Sequence, residues 1–209
     1  MAVEKSEIQV FFEKLASATP TPGGGSSAAL CGATAAALVS MVANLTVGRE
    51  KYKENWEIME EVAKKSEELR FKFVELANCD IKGYGNYMDC LGMCKETEEE
   101  KKLRRDAMQE ALVYITEIPM NTIETCVEVA KLSFKAAKFG NPNAISDAAC
   151  GAILAEAVAR AASHSVRANL PGIKDKEFVL CTEKKMNEAL DEVKRELIKT
   201  ETLISEFLS

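Results

Sequence analysis

Histidine is almost missing from this chain: His164 is the only one in 209 residues. That scarcity excludes His-coordinated zinc, Glu-x-x-His di-iron sites and most Ser-His-Asp or Cys-His arrangements, because each needs imidazole. Catalysis would have to rest on Asp, Glu, Lys, Tyr, Cys or main-chain groups, and His164 itself reads as structural. The seven cysteines (Cys31, Cys79, Cys90, Cys94, Cys126, Cys150 and Cys181) are odd in number, form no Cys-x-x-Cys pair and offer no four-ligand metal set. Cys90 and Cys94 read as buried small apolar residues, and no metal is expected. The start of the chain, Met1 to Glu7, is charged and lacks the apolar centre of a signal peptide. A reducing cytoplasm is the expected location.

Basic clusters are missing too. Lys and Arg number 27 against 33 Asp and Glu, for a net charge of −6, and acids interleave every basic run. A phosphate-tracking protein would show a basic face, so nucleic acid is not an expected partner. Neither Gly-x-x-x-x-Gly-Lys nor Gly-x-Gly-x-x-Gly in a strand–helix setting is present, which removes the common nucleotide loops.

The third absence is local. From Leu15 to Gly48 there is no charged side chain, and the segment contains Pro20-Thr21-Pro22-Gly23-Gly24-Gly25-Ser26-Ser27. The prolines stop a preceding helix, since each fixes φ and lacks an amide donor. The glycines let the backbone approach a neighbour closely, and Ser26 or Ser27 can cap the Ala-rich helix that follows. Exposed amides at the positive end of a helix suit a carboxylate, phosphate or carbonyl oxygen. Two readings stay open here: a preformed binding loop, and a plain connector between helices.

Apolar spacing predicts helices nearly throughout, in one domain over residues 1–209. They are expected at about Ser6–Ala16, Ser26–Val47, Asn55–Gly92 with a bend near Gly83-Tyr84-Gly85, Thr97 to a kink or break at Pro119, a continuation to Phe139, a second Ala-rich helix from the Asn141–Asp147 loop to about Ala168, and Thr182–Leu208. Ala28, Gly32, Ala36 and Ser40 form a small-residue stripe that invites a close helix neighbour. The Ser26–Val47 helix is long enough to span a membrane. Its polar residues, its alanine content and the lack of a basic flank favour the centre of a soluble bundle instead. The expected class is all-α: a compact multihelical domain with two central Ala-rich helices and long amphipathic helices packed around them.

If the two Ala-rich helices run side by side in matching orientation, their leading loops meet. One loop brings Gly23, Gly24, Gly25 and Ser26, the other Asn141, Asn143, Ser146 and Asp147, together lining a cleft with amides and a carboxylate. Asp147 also reads as a simple helix cap. Asp80 lies in an apolar run, Leu76-Ala77-Asn78-Cys79-Asp80-Ile81; burial there would raise its pKa and suit proton transfer, although a solvent-facing position fits the pattern equally. Lys95 could neutralise an anionic ligand or simply face water.

The chain resembles the cyclodeaminase domain of formiminotransferase-cyclodeaminase and the stand-alone methenyltetrahydrofolate cyclohydrolases. The resemblance rests on Pro20 to Ala29, Met41-Val42-Ala43-Asn44-Leu45-Thr46, Lys51-Tyr52, Asp80, Arg105 to Ala111, Ile118-Pro119, Gly140 to Asp147 and Asn169-Leu170. These landmarks occur in family order over nearly the whole chain. Gly83-Tyr84 replaces the usual Ala-Phe, Cys94 the proline of Leu-Pro-Lys, and Ser165-Val166 the frequent Asn-Val. The resemblance implies a homodimer acting on a reduced folate, with no bound cofactor, no membrane and no residues left for a formiminotransferase domain. It implies opening of 5,10-methenyltetrahydrofolate to 10-formyltetrahydrofolate, or closure of 5-formiminotetrahydrofolate with loss of ammonia. Asp147 and Asp80 are the candidate catalytic carboxylates. Lys95 would hold a folate carboxylate or donate a proton, and the Gly23–Ser26 loop would grip the substrate. A non-catalytic folate-binding or assembly module on the same fold, and a membrane-associated helical protein, are the alternatives of other classes.

Overall fold

The computed structural model describes residues 7–208; Ser6, the expected first helical residue, and the charged start from Met1 lie outside them. The helices are α1 (Glu7–Leu15), α2 (Gly24–Asn44), α3 (Trp56–Gly92), α4 (Glu98–Phe139), α5 (Ile145–Asn169) and α6 (Lys176–Leu208), with short 3₁₀ turns at Glu50–Asn55, Pro142–Ala144 and Leu170–Gly172. No strand occurs among the described residues.

The start of α4 follows its sequence closely. Thr97 Oγ1 accepts from the Glu100 amide at 3.1 Å, and Glu100 Oε2 accepts from the Thr97 amide at 2.9 Å, the reciprocal capping box that Thr-x-x-Glu predicts. Neither long helix is interrupted at these positions: α3 runs through Gly83 to Gly85 as one element, and α4 runs through Pro119 rather than breaking there. Pro119 is buried, and its missing amide does not end the helix.

The two Ala-rich helices lie at the centre. α2 packs between α3 and α5, while α4 covers α3 and α5 and carries α6. Small side chains set this spacing. A methyl group on Gly32 would lie 2.7 Å from Phe73 Cδ1, inside the ring's van der Waals surface, and one on Gly151 would lie 3.1 Å from Val39 Cγ2. Ala28, Gly32, Ala36 and Ser40 are all buried, so the stripe read from the sequence is indeed a helix–helix contact. α2 alone among the described helices has the length and apolarity of a membrane span, yet 61% of its most apolar window is buried inside the protein.

The orientation of α2 and α5 overturns one expectation. Successive helices reverse direction at each short connection, so after α3 and α4 the chain re-enters as α5 antiparallel to α2. The loop that precedes α5 therefore meets the C-terminal end of α2. There the Asn141 amide donates to Thr46 Oγ1 at 2.8 Å, and Asn141 Nδ2 donates to the Leu45 carbonyl at 3.3 Å. The Tyr52 hydroxyl donates to Asn141 Oδ1 at 2.7 Å. Cysteine burial also departs from expectation: Cys126 is buried, but Cys94 is exposed and Cys90 only half-buried, because the end of α3 projects beyond the core.

The Gly32–Phe73 contact yields a test whose sign depends on background. Phe73→Ala should cost about 3–5 kcal/mol through the cavity it leaves. Gly32→Ala should destabilise the wild type but be neutral or stabilising in Phe73→Ala, where only the helix preference of alanine over glycine remains. Urea denaturation of the four proteins measures this coupling.

Candidate active site

Asp80 is placed by α3, with its neighbours Leu76 and Ala77 buried in the core. The carboxylate reaches the first turn of α2, where Oδ2 accepts a hydrogen bond from the Ser26 amide at 2.7 Å. The capping expected of Ser26 is thus divided. Asp80 takes an amide that has no acceptor within the helix, while Ser26 Oγ exchanges bonds with the Gly23 amide and carbonyl, each at 3.1 Å. Ser27 Oγ donates to the Gly23 carbonyl at 2.7 Å.

The glycine between them is sterically required. A methyl group on Gly25 would overlap the Asp80 carboxylate and stand 2.7 Å from its Cγ. Burial pushes the Asp80 pKa above the ordinary aspartate value, and the Ser26 amide and hydroxyl pull it partly back. The expectation of a partly buried carboxyl with a raised pKa therefore holds.

Asp80 opens onto a cleft of about 390 Å³. Gly23, Gly24 and Gly25 form one edge. Tyr84 and Tyr87 follow Asp80 along one face of α3, at the spacings that share a helix side. Leu112 and Ile115 of α4 form the apolar wall, and Ser165 and Asn169 of α5 close the far side. A larger groove of about 570 Å³ lies between α1 and α2, but its lining is mainly Ile8, Phe11, Phe12, Leu30 and alanines. Its one cation, Arg70, is engaged by Glu67. Chemistry belongs to the smaller cleft, which holds the carboxylate and the free helix start.

The other predicted residues lie elsewhere in the protomer. Asn141 is buried and its carboxamide is engaged at both ends, so it pins the α2–α5 turn. Asn143 and Ser146 are exposed beside it, and Asp147 occupies the first turn of α5. All four are therefore at the end of α2 opposite Gly23–Ser26. Lys95 is exposed in the connection after α3 and does not line the cleft. His164 is exposed on α5, in neither the core nor the cleft. Sequence reading passed over Tyr87, Leu112 and Ile115. The signal was present in Asp80, Tyr84 and Tyr87 at i, i+4 and i+7, and in Ser165 and Asn169 at i and i+4, but nothing local says that those faces meet. Among the described residues, no group of three His, Cys, Asp or Glu side chains is placed to hold a metal ion.

An all-α domain with one partly buried carboxylate beneath a glycine-built helix start, facing a ligand-sized cleft, defines a helical small-molecule site. The chain belongs to the formiminotransferase-cyclodeaminase family, whose profile matches residues 7–188. A methenyltetrahydrofolate cyclohydrolase of Methylorubrum extorquens is 42% identical over 171 residues, 82% of each chain. The formimidoyltransferase-cyclodeaminase of Gallus gallus is 30% identical over 90% of this chain, which spans 35% of that protein's length. The solved structure of a formiminotetrahydrofolate cyclodeaminase from Thermotoga maritima matches over 100% of both chains, with a TM-score of 0.87 and 29% identity.

Removing the Asp80 carboxylate should be felt in stability before any activity is measured. Asp80→Ala leaves the Ser26 amide unsatisfied and should cost about 1–3 kcal/mol; Asp80→Asn keeps an acceptor and should cost less. The pH dependence has a defined sign. Because the folded pKa is raised, the contribution of Asp80 is fully present below the ordinary aspartate value and is lost as pH rises through the folded value. The advantage of wild type over Asp80→Asn should therefore be largest on the acid side and shrink across that window in urea titrations.

Proposed function

We propose that this protein is a methenyltetrahydrofolate cyclohydrolase, with Asp80 as the group that handles the proton. The observation that carries the reading is the Asp80–Ser26 contact at the edge of the cleft, in a chain 42% identical to a cyclohydrolase over 82% of both lengths. The methenyl carbon of 5,10-methenyltetrahydrofolate joins two nitrogens and shares their positive charge, so it is already electrophilic. Water adds to that carbon while Asp80 takes one of its protons. The carbon–N5 bond then breaks, and N5 receives the proton from Asp80. The second water proton leaves to solvent as the formyl C=O forms on N10. Atoms and charge balance: cation plus water gives 10-formyltetrahydrofolate plus a proton.

The Ser26 amide holds Oδ2, which leaves Oδ1 for the water. The amides of Gly24 and Gly25, at the start of α2 and without intrahelical acceptors, face the same cleft and suit the oxygen that gains negative character. A carboxylate beside the amidinium also stabilises the cationic ground state, so its contribution to rate lies in proton transfer, worth about 10²–10⁴-fold.

The alternative is formiminotetrahydrofolate cyclodeaminase. The Thermotoga cyclodeaminase favours it, since that protein matches this chain over its full length. There N10 would add to the formimino carbon, and the same residues would pass a proton to the amino nitrogen so that its bond to carbon breaks and ammonia leaves. A folate-binding module without turnover is the reading of another class. Supplying both substrates separates these three: loss of methenyl absorbance supports the first, ammonia release the second, and binding without either reaction the third.

We further propose a homodimer, with Asp147 supplied to the site by a second copy; Lys95, which follows the far end of α3, lies at the opposite end of the protomer from Asp147 and is left out of that role. Exposed Met41 and Ile153 place apolar surface on the α2–α5 layer, which gives a second chain something to bury. Light scattering should report twice the 22.9 kDa chain mass. A loss of turnover in Asp147→Asn that mixing with refolded Asp80→Asn protein repairs is the expected outcome. Full activity in Asp147→Asn alone would leave Asp147 as a first-turn acid of α5 with no part in the chemistry.

The pH profile tests the main assignment. kcat/KM should fall on the acid side with a midpoint above the ordinary aspartate value, because protonated Asp80 cannot accept the water proton. Asp80→Asn should lower kcat by about 10²–10⁴-fold and abolish that limb; an unchanged limb in the variant would remove Asp80 from the chemistry.

A further inference from the structure

We infer that Asn169 is a substrate-recognition residue, held in position by a backbone carbonyl that Pro119 leaves without its helical partner. This rests on the folate reading above and names the residue that reads the ring. In an α-helix the carbonyl of residue i−4 accepts from the amide of residue i, and proline has no amide to give. Pro119 lies inside α4, so the carbonyl of Ile115 loses its intrahelical donor. Asn169, at the end of α5, fills the gap: its Nδ2 donates to the Ile115 carbonyl at 3.3 Å.

Ile115 and Asn169 both line the cleft that holds Asp80. The carboxamide is therefore anchored through one N–H and carries two further functions, the acceptor Oδ1 and the second N–H. Among the described residues no hydrogen bond engages Oδ1; Asn169 does not cap the 3₁₀ turn that follows it. A half-buried amide fixed at one corner and free along its edge presents an adjacent acceptor and donor. That pattern complements a flat lactam or amidine edge with its own donor and acceptor side by side, as a pterin ring has. Such an edge would lie across the cleft from Asp80, with Tyr84 and Tyr87 beside it. A site built to hydrogen-bond a substrate group discriminates because its own polar atoms lose their partners when that group is missing.

Pro119 and Asn169 thus form one device, and each can be altered separately. Asn169→Leu removes the amide edge. Pro119→Ala returns an amide to α4, so Ile115 regains its helical bond and releases Asn169.

The test is binding of 5-formyltetrahydrofolate by titration calorimetry, together with KM and kcat for 5,10-methenyltetrahydrofolate and thermal unfolding of each protein. Expected for Asn169→Leu is a roughly tenfold weaker Kd and a KM raised in parallel, with kcat changed less than about threefold. Pro119→Ala should weaken binding several-fold while Tm is unchanged or higher. That combination separates positioning from stability, since a purely structural role would move Tm and leave Kd alone. Wild-type-like Kd in both variants, with folate still bound by the wild type, overturns the assignment while leaving the folate reading intact. Failure of the wild type to bind either folate overturns that reading and this assignment together.

Discussion

One hydrogen bond carries most of the organisation of this protein: the carboxylate of Asp80 on the Ser26 amide. It is the point where a long charged helix meets an uncharged one. α2 has no acidic residue in its first turn and no basic residue in its last, so nothing within its own sequence answers its dipole. The answer comes from α3, far away along the chain. Because the bond is short and Gly25 has no side chain, α3 sits directly on the start of α2. The other residues of the cleft follow, since Tyr84 and Tyr87 continue from Asp80 along the same helix face.

A second constraint acts at the opposite end of α2. Asn141 joins the Leu45 carbonyl, the Thr46 hydroxyl and the Tyr52 phenol in one buried cluster. The landmarks Asn44-Leu45-Thr46, Lys51-Tyr52 and Gly140-Asn141, on which the family resemblance partly rests, are therefore largely the fastening of a helix turn, Asn141 included. A buried asparagine whose donor and acceptor are both used is a structural part, and its loss would strand several polar groups at once. The two ends of α2 divide the labour, with structure at one end and an open carboxylate at the other.

What the sequence disclosed and what it hid follow from the range of the interactions. Helix ends set by local chemistry, such as the Thr97 capping box and the stop at Gly140, were legible because the partners are three or four residues apart. The small-residue stripe of α2 was legible because close packing needs it whatever the neighbour. The direction of α5 relative to α2 was not, because it depends on counting reversals rather than on any one residue. Asp80 was readable as an acid in an apolar run, but its partner Ser26 was not, for nothing local links positions so far apart. Pro119 shows the same limit. Propensity expects a break, and only the buried setting of Pro119 and the side chain of Asn169 show why the helix can continue.

The near absence of histidine also acquires a physical sense within the proposed reaction. A substrate that arrives as an amidinium cation brings its own activation, so the protein needs to manage a proton and not to polarise a bond. For that task a carboxyl with a pKa above its ordinary value is better matched to neutral solution than an exposed one, because it both accepts a proton from water and gives it up to nitrogen. Burial alone would push Asp80 too far toward the neutral acid and cost it the capacity to accept. The Ser26 amide limits that shift, since it bonds to the charged form. The start of α2 therefore does more than hold the carboxylate in place: it sets the balance between desolvation and hydrogen bonding that, in the proposed reaction, one aspartate needs to act first as base and then as acid.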